Sequence, residues 1–208
     1  MNHGYRTLTL LLCLLLGLMA EAQHNTADDI LRRCSAELGS TGAAQMDFTI
    51  RGNGGDFDGC ITVSGKAFAM VIPGVRVWFD GKTQWTLMEE NKSVSISEPT
   101  LDELMESNPF IILDNYASRY KAMRVDGAPE GCSRVVLTPQ GKSAAGIVKA
   151  TLTVKDKTGF PTALNIVFDN GAEIQASVKA ARKLPKPRAG AFRFKAADYD
   201  VLETVDLR

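Results

Sequence analysis

The sequence predicts a mainly β fold in which short helices cover one face of a curled antiparallel sheet. Short segments that alternate apolar and polar residues recur along most of the 208-residue chain, and glycine-containing turn pairs separate them. No strand–helix–strand alternation typical of a parallel sheet occurs. Two helical segments interrupt the strands and carry enough apolar residues to cover a concave sheet. These features together predict a half-barrel covered by helices.

The N-terminal segment, residues 1–22, is predicted to be a secretory signal peptide. Arg6 precedes an apolar run over residues 8–20, and Ala20-Glu21-Ala22 has the small-x-small form of a cleavage site. That run has 13 residues, whereas a transmembrane helix needs roughly 20. We therefore expect cleavage near Ala22 and a single mature domain over residues 23–208.

The first helix is predicted over residues 26–38. Thr26 suits the N-cap position, and Asp28 and Asp29 in the first turn complement the helix dipole. The apolar stripe of this helix consists of Ala27, Ile30, Leu31, Cys34 and Leu38. Closely spaced strands follow at residues 44–51, 59–64, 67–72, 75–79, 83–88 and 93–97.

A helical interruption is predicted to begin at Thr100. Thr100 and Glu103 have the spacing of a capping box, and Asn108-Pro109 ends this helix. Pro109 then suits the first turn of a second short helix that reaches Leu113. Strands are predicted to resume at residues 120–125, 132–138, 146–155, 162–168, 173–181 and 191–195.

Composition argues against nucleic-acid binding and against most catalysis. The chain has 24 basic and 24 acidic residues, so it presents no net field to a polyanion. Its two histidines, His3 and His24, precede the first predicted helix and leave the folded body of the chain without an imidazole for a catalytic triad or a zinc site. The pairs of carboxylates coincide with turns and helix starts. We expect no enzyme activity, no metal and no cofactor.

Three cysteines remain after the predicted cleavage: Cys34, Cys60 and Cys132. An odd number leaves at least one thiol unpaired in an exported protein. Cys34 lies on the apolar stripe of the first helix and is expected to be buried. For Cys60 and Cys132 the alternatives are two free thiols or one disulfide.

The apolar residues of the strands and helices predict what the half-barrel encloses, either a filled core or an apolar cavity. The pattern leaves both alternatives open. Residues that share one face of each strand, or one stripe of each helix, are expected to line the interior. They are Met46, Phe48, Ile50, Ile61, Val63, Phe68, Met70, Trp85 and Leu87 from strands, and Leu104, Met105, Phe110 and Ile111 from helices.

A basic cluster follows the last long predicted strand, and Pro185 and Pro187 stiffen it. It is either a solvated loop or a docking surface for an acidic partner or lipid headgroups. Lys183, Lys186 and Arg188 are the predicted docking residues. The full cluster, without an intervening acidic residue, is Lys179, Arg182, Lys183, Lys186 and Arg188.

Residues 79–116 carry a recognisable combination of motifs: the hairpin Asp80-Gly81-Lys82-Thr83-x-Trp85, a valine-containing strand, and a helical segment that ends in Asn108-Pro109. This segment resembles the LolA family of periplasmic outer-membrane lipoprotein carriers. The resemblance extends to GCITVSGKAFAM before it and to AFRFKAADYDVLETVDL near the C-terminus. It implies an unclosed antiparallel β-barrel whose helices form a lid over an apolar cavity.

The resemblance also implies a function in the periplasm of a Gram-negative bacterium. Such a carrier, expected to be a monomer, takes acylated lipoproteins or another lipid from an ATP-driven inner-membrane release complex and delivers them to an outer-membrane acceptor. Many family members have a basic residue and a proline after the second strand to latch the lid, where this chain has Ser64-Gly65-Lys66-Ala67. We therefore expect a divergent member. The alternative is that a protein with this same fold acts as an interaction module that senses envelope lipid or envelope stress.

Overall fold

The computed structural model describes residues 26–39, 42–52, 55–113, 116–143 and 145–208, and the predicted signal peptide lies outside these ranges. The helices are α1 (Ala27–Gly39), α2 (Leu101–Ser107) and α3 (Tyr116–Arg119), with 3-10 helices at Pro109–Leu113 and Ala196–Asp198. The strands are β1 (Ala43–Gly52), β2 (Phe57–Ser64), β3 (Ala67–Ile72), β4 (Val75–Phe79), β5 (Gln84–Met88), β6 (Ser93–Ser97), β7 (Tyr120–Val125), β8 (Cys132–Pro139), β9 (Ile147–Lys155), β10 (Pro161–Phe168), β11 (Glu173–Leu184) and β12 (Glu203–Asp206).

All twelve strands belong to one open sheet, in the order β12-β6-β5-β4-β3-β2-β1-β11-β10-β9-β8-β7. Two meanders, β1 to β6 and β7 to β11, meet along the antiparallel pair β1 and β11. Every neighbouring pair is antiparallel except β12, which runs parallel to β6. The prediction of an unclosed, mainly antiparallel half-barrel with short helices is confirmed.

The core lies on the concave side of the sheet, under α1 and the segment 101–113. Ile30, Leu31 and Cys34 of α1 are fully buried there, which confirms the apolar stripe predicted for this helix. Large side chains such as Met46 and Phe68 meet them from the sheet. Burial of these apolar surfaces is the main force that holds the helices on the sheet.

The prediction of a strand at residues 191–195 is wrong, because this segment forms a turn on the convex side of the sheet. Its Phe194 ring lies 5.5 Å from Trp78 and 5.6 Å from Tyr199, and Trp78 and Tyr199 are 5.3 Å apart. Arg193 also pairs with Asp80 at 2.8 Å. The alternation of aromatic residues therefore serves packing against the sheet instead of strand pairing. The chain then forms β12, for which the sequence pattern gave no prediction.

The described cysteines are all free thiols. Cys60 lies in β2 and Cys132 in β8, with β1, β11, β10 and β9 between them in the sheet. A disulfide requires Cα atoms within about 7 Å, so this placement excludes a bond between them. No helix in the described part of the chain is both long and apolar enough to cross a membrane.

We predict that Cys34 resists alkylation in the native protein. Burial, with a smaller contribution from the charge of Glu37, raises the pKa of its thiol to about 12. Only the thiolate reacts, so iodoacetamide at about pH 8 should modify Cys34 far more slowly than a free cysteine, and rapidly once the chain is unfolded. Mass spectrometry of timed digests measures this. Native labelling of Cys34 at the rate of a free thiol would contradict the packing of α1.

Candidate functional site

The structure brings most of the predicted lining residues together in one buried cluster on the concave face. Ile50 is partly buried and packs against this cluster. Side chains from the segment 101–113 fill the curvature of the sheet, so the interior is a packed core. The members that the sequence predicted are Met46, Phe48, Ile61, Val63, Phe68, Met70, Leu104, Met105, Phe110 and Ile111.

Trp85 and Leu87 were expected to line the interior, but the strand register places them on the convex face. Phe68 pairs with Phe79, and Phe79 pairs with Gln84, without a register shift. Directly paired residues of antiparallel strands share a face, so Gln84 faces the concave side and its neighbour Trp85 faces away.

The reason for this error is that the convex face also buries apolar residues near β5. Leu87 pairs with Val94, and both are buried although neither belongs to the main core. Trp85 pairs with Trp78, the residue on which Phe194 and Tyr199 pack. The alternation of apolar and polar residues along β5 therefore shows that one face of the strand is buried, but it does not distinguish the concave from the convex face of the sheet.

A cleft of about 420 Å³, called here the helix cleft, separates α1 from the 3-10 helix Pro109–Leu113. Its volume lies within the range of ligand pockets, roughly 300 to 1,000 Å³. The close approach of Gly39 to Gly65 shapes one end, because a Cβ on Gly39 would lie 3.0 Å from the Gly65 nitrogen. The apolar lining comprises Leu38, Val63, Phe110, Ile111 and Leu113, and the polar lining includes Arg32, Ser35, Asn108 and Tyr116.

A second cleft, called here the rim cleft, has a volume of about 440 Å³ and lies between α2 and the rim of the sheet. Ile111 lines both clefts and therefore stands between them. The other residues around the rim cleft are Lys66, Phe79, Gly81, Lys82, Glu98, Pro99, Leu101 and Leu104.

Local polar contacts stabilise the helical conformation of the segment 101–113, called here the lid segment. At its start, the Thr100 N–H donates to the Glu103 carboxylate at 2.7 Å and the Glu103 N–H donates to Thr100 Oγ1 at 3.4 Å, which confirms the capping box. These backbone and side-chain hydrogen bonds with Thr100 hold the pKa of Glu103 below its usual range. Within the lid segment, buried Asn108 accepts a hydrogen bond from the Phe110 N–H at 3.1 Å.

An ion pair connects the lid segment to α3, the short helix that precedes β7. Arg119 lies at the end of α3, directly before β7, and its guanidinium is 2.6 Å from the Asp102 carboxylate of α2. The two side chains are only about 30% exposed, so water screens this pair less than a surface pair. This pair therefore joins the lid segment to α3.

The predicted docking residues do not lie on one loop. Lys183 belongs to β11, and its ammonium group is 2.6 Å from Glu37 of α1. This strand runs further than predicted because β1 pairs with it as far as Leu184. Lys186 and Arg188 follow the strand and are exposed. Within the described ranges, no group of three or more metal-binding side chains is found.

A family model described as outer membrane lipoprotein carrier protein LolA matches residues 18–167. The chain belongs to the LolA family. It is a divergent member, and no curated protein matches the chain. LolA-like proteins are carriers or binding proteins, so membership indicates, in general terms, a lipid-binding or lipoprotein-binding protein of the periplasm.

Solved structures are similar to this chain at low sequence identity. An uncharacterized conserved protein of Thermus thermophilus is 13% identical, with a TM-score of 0.58 over 85% of this chain and 98% of that chain. A LolA superfamily protein of Nitrosomonas europaea is 14% identical, with a TM-score of 0.47 over 82% and 98%. MucB of Pseudomonas aeruginosa, solved with MucA, is 17% identical, with a TM-score of 0.45 over 85% of this chain and 63% of that chain.

We predict that Leu87→Ala destabilises this LolA-like protein without affecting its ligand binding. The side chain is buried on the convex face, so its loss should lower the free energy of unfolding by about 2 to 4 kcal/mol. Met88→Ala is the matched control. Because Met88 is 42% exposed, this substitution should change the free energy of unfolding by less than about 0.5 kcal/mol. Urea unfolding and binding of a fluorescent fatty-acyl probe measure both effects. Loss of probe binding in folded Leu87→Ala would contradict the convex-face position and would indicate that Leu87 lines the interior.

Proposed function

We propose that this protein carries acyl chains of lipoproteins or of a related lipid from the inner to the outer membrane. The helix cleft carries this proposal, because its apolar floor is formed by residues of the core itself. Val63, Phe110 and Ile111 belong both to the cleft and to the buried cluster. An acyl chain bound there would extend the existing core and hide its methylene groups from water.

The energetics of transfer favour a container of this kind. Each methylene removed from water contributes about 0.8 kcal/mol, so a chain of about a dozen methylenes needs on the order of 10 kcal/mol of shielding in transit. An apolar cleft and a bilayer provide similar surroundings, so exchange between them is close to neutral. Such a carrier needs affinity and controlled access, and no catalytic group.

Full entry of a chain would require the lid segment to move. Displacement of Phe110 and Ile111 would uncover core residues such as Met46, Phe48 and Phe68, where methylene groups could replace the side chains of the lid. The Arg119–Asp102 pair opposes this movement in the unloaded protein. We infer that loading exchanges lid side chains for ligand methylenes over the same sheet surface.

The partners in this scheme are an acylated lipoprotein or lipid, an ATP-driven release complex in the inner membrane and an acceptor at the outer membrane. Exposed Lys186 and Arg188 are the docking residues that we propose for membrane-bound partners. Lys183 is the weaker candidate, because Glu37 already neutralises its charge. Charges at such a rim mainly accelerate encounter and make it sensitive to salt.

We predict that Ser35→Trp abolishes acyl-probe binding while the protein stays folded. Ser35 lines the helix cleft and is partly exposed, so an indole can occupy the cleft from its solvent side. The control is Val71→Trp, an equally bulky change at a position 40% exposed in β3. Fluorescence titration with a fatty-acyl probe and thermal unfolding are measured on both variants. Normal probe affinity in folded Ser35→Trp would refute the helix cleft as the acyl site.

We also predict that Arg119→Ala accelerates loading. A partly buried ion pair of this kind contributes on the order of 1 kcal/mol, so its loss should raise the population of the open lid about fivefold. The association rate of the acyl probe in stopped-flow mixing should rise by a similar factor. Lys92→Ala, which removes the exposed pair with Asp200, is the control and should leave the rate unchanged. Equal association rates in the unsubstituted protein, Arg119→Ala and Lys92→Ala would mean that the lid opens independently of Arg119.

A further inference from the structure

The rim cleft is a second apolar recess that the carrier scheme above does not use. The turn between β2 and β3 contributes Lys66, and the turn between β4 and β5 contributes Lys82. Its floor consists of Phe79, Leu104 and Ile111, each less than 7% exposed. The cleft is therefore amphipathic, with an apolar floor under exposed ammonium groups.

The charges around this cleft favour an anion. Lys66 and Lys82 are both exposed, and Lys66 forms no ion pair with any residue that the structure describes. The Lys82 ammonium lies 3.0 Å from the Glu98 carboxylate, which is the acidic group of the lining. Two ammonium groups and one carboxylate leave one positive charge beside a buried apolar surface. An anionic group here would bind the Lys66 ammonium group directly and would compete with the Glu98 carboxylate for Lys82.

We propose that the rim cleft binds an anionic amphiphile, namely an alkyl chain with a phosphate head. The phosphate would lie between Lys66 and Lys82, and the first methylenes would lie on Phe79, Leu104 and Ile111. This inference stands apart from the carrier proposal, because it requires neither an open lid nor an occupied helix cleft. It assigns to the protein a ligand with a charged head, bound at a site separate from the helix cleft.

The test compares decyl phosphate with neutral decyl glucoside, both below their critical micelle concentrations, by calorimetric titration of the mature protein. In the double variant Lys66→Met, Lys82→Met, the dissociation constant for decyl phosphate should rise at least about tenfold. That for decyl glucoside should stay the same, because methionine preserves the apolar stem. Lys149→Met, at an exposed position in β9, is the matched control and should change neither.

A second variant tests the charge argument by a gain of affinity. Glu98→Gln removes the carboxylate that holds Lys82, so it should tighten decyl phosphate binding several-fold and make that binding more sensitive to salt. Inorganic phosphate alone should bind far more weakly than decyl phosphate, because it cannot use the apolar floor. Thermal unfolding of each variant verifies that the fold is unchanged.

Three results would overturn the proposal. In the double lysine variant, these are an equal loss of affinity for decyl phosphate and decyl glucoside, or an unchanged affinity for decyl phosphate. In the unsubstituted protein, it is an affinity for inorganic phosphate as high as that for decyl phosphate. Repeating the titrations in the Ser35→Trp background separates this site from the helix cleft. If Ser35→Trp fails to weaken acyl-probe binding, the carrier proposal fails, whereas the rim cleft is judged by the lysine variants alone.

Discussion

The whole structure depends on covering the concave face of one continuous sheet. A sheet that curls without closing exposes a large apolar surface, and α1 and the lid segment are the elements that bury it. The helices are too short to be stable alone, so their position is determined by this contact. Where their cover is incomplete, the helix cleft and the rim cleft remain on either side of Ile111.

The same constraint explains how one surface can serve both stability and binding. In the unloaded protein, lid side chains such as Phe110 occupy the curvature of the sheet and shield the core from water. A ligand chain competes with these side chains for the same surface. The binding free energy is therefore a difference between two similar packings, which permits both uptake and release.

Local patterns predicted those parts of the fold that local chemistry determines. The stripe of α1, the capping box at Thr100 and most turns follow from neighbouring residues alone. The sequence did not reveal the face to which β5 turns its apolar residues, because a distant segment around Phe194 buries the convex side. The ion pair between Lys183 and Glu37 and the length of β11 likewise depend on contacts between residues that are distant in the sequence. The clefts arise from gaps between elements, which no periodicity encodes.

The seam between the two meanders has a consequence for how the chain reaches this state. Hairpins β1 to β6 and β7 to β11 form from neighbouring strands, but β1 obtains its second partner only when β11 arrives, more than 100 residues later. Until then one edge of β1 offers unpaired backbone groups together with Met46 and Phe48. Such an edge is a template for pairing between molecules. Newly made chains at high concentration are therefore most vulnerable to association through β1, and early docking of α1 over it offers protection.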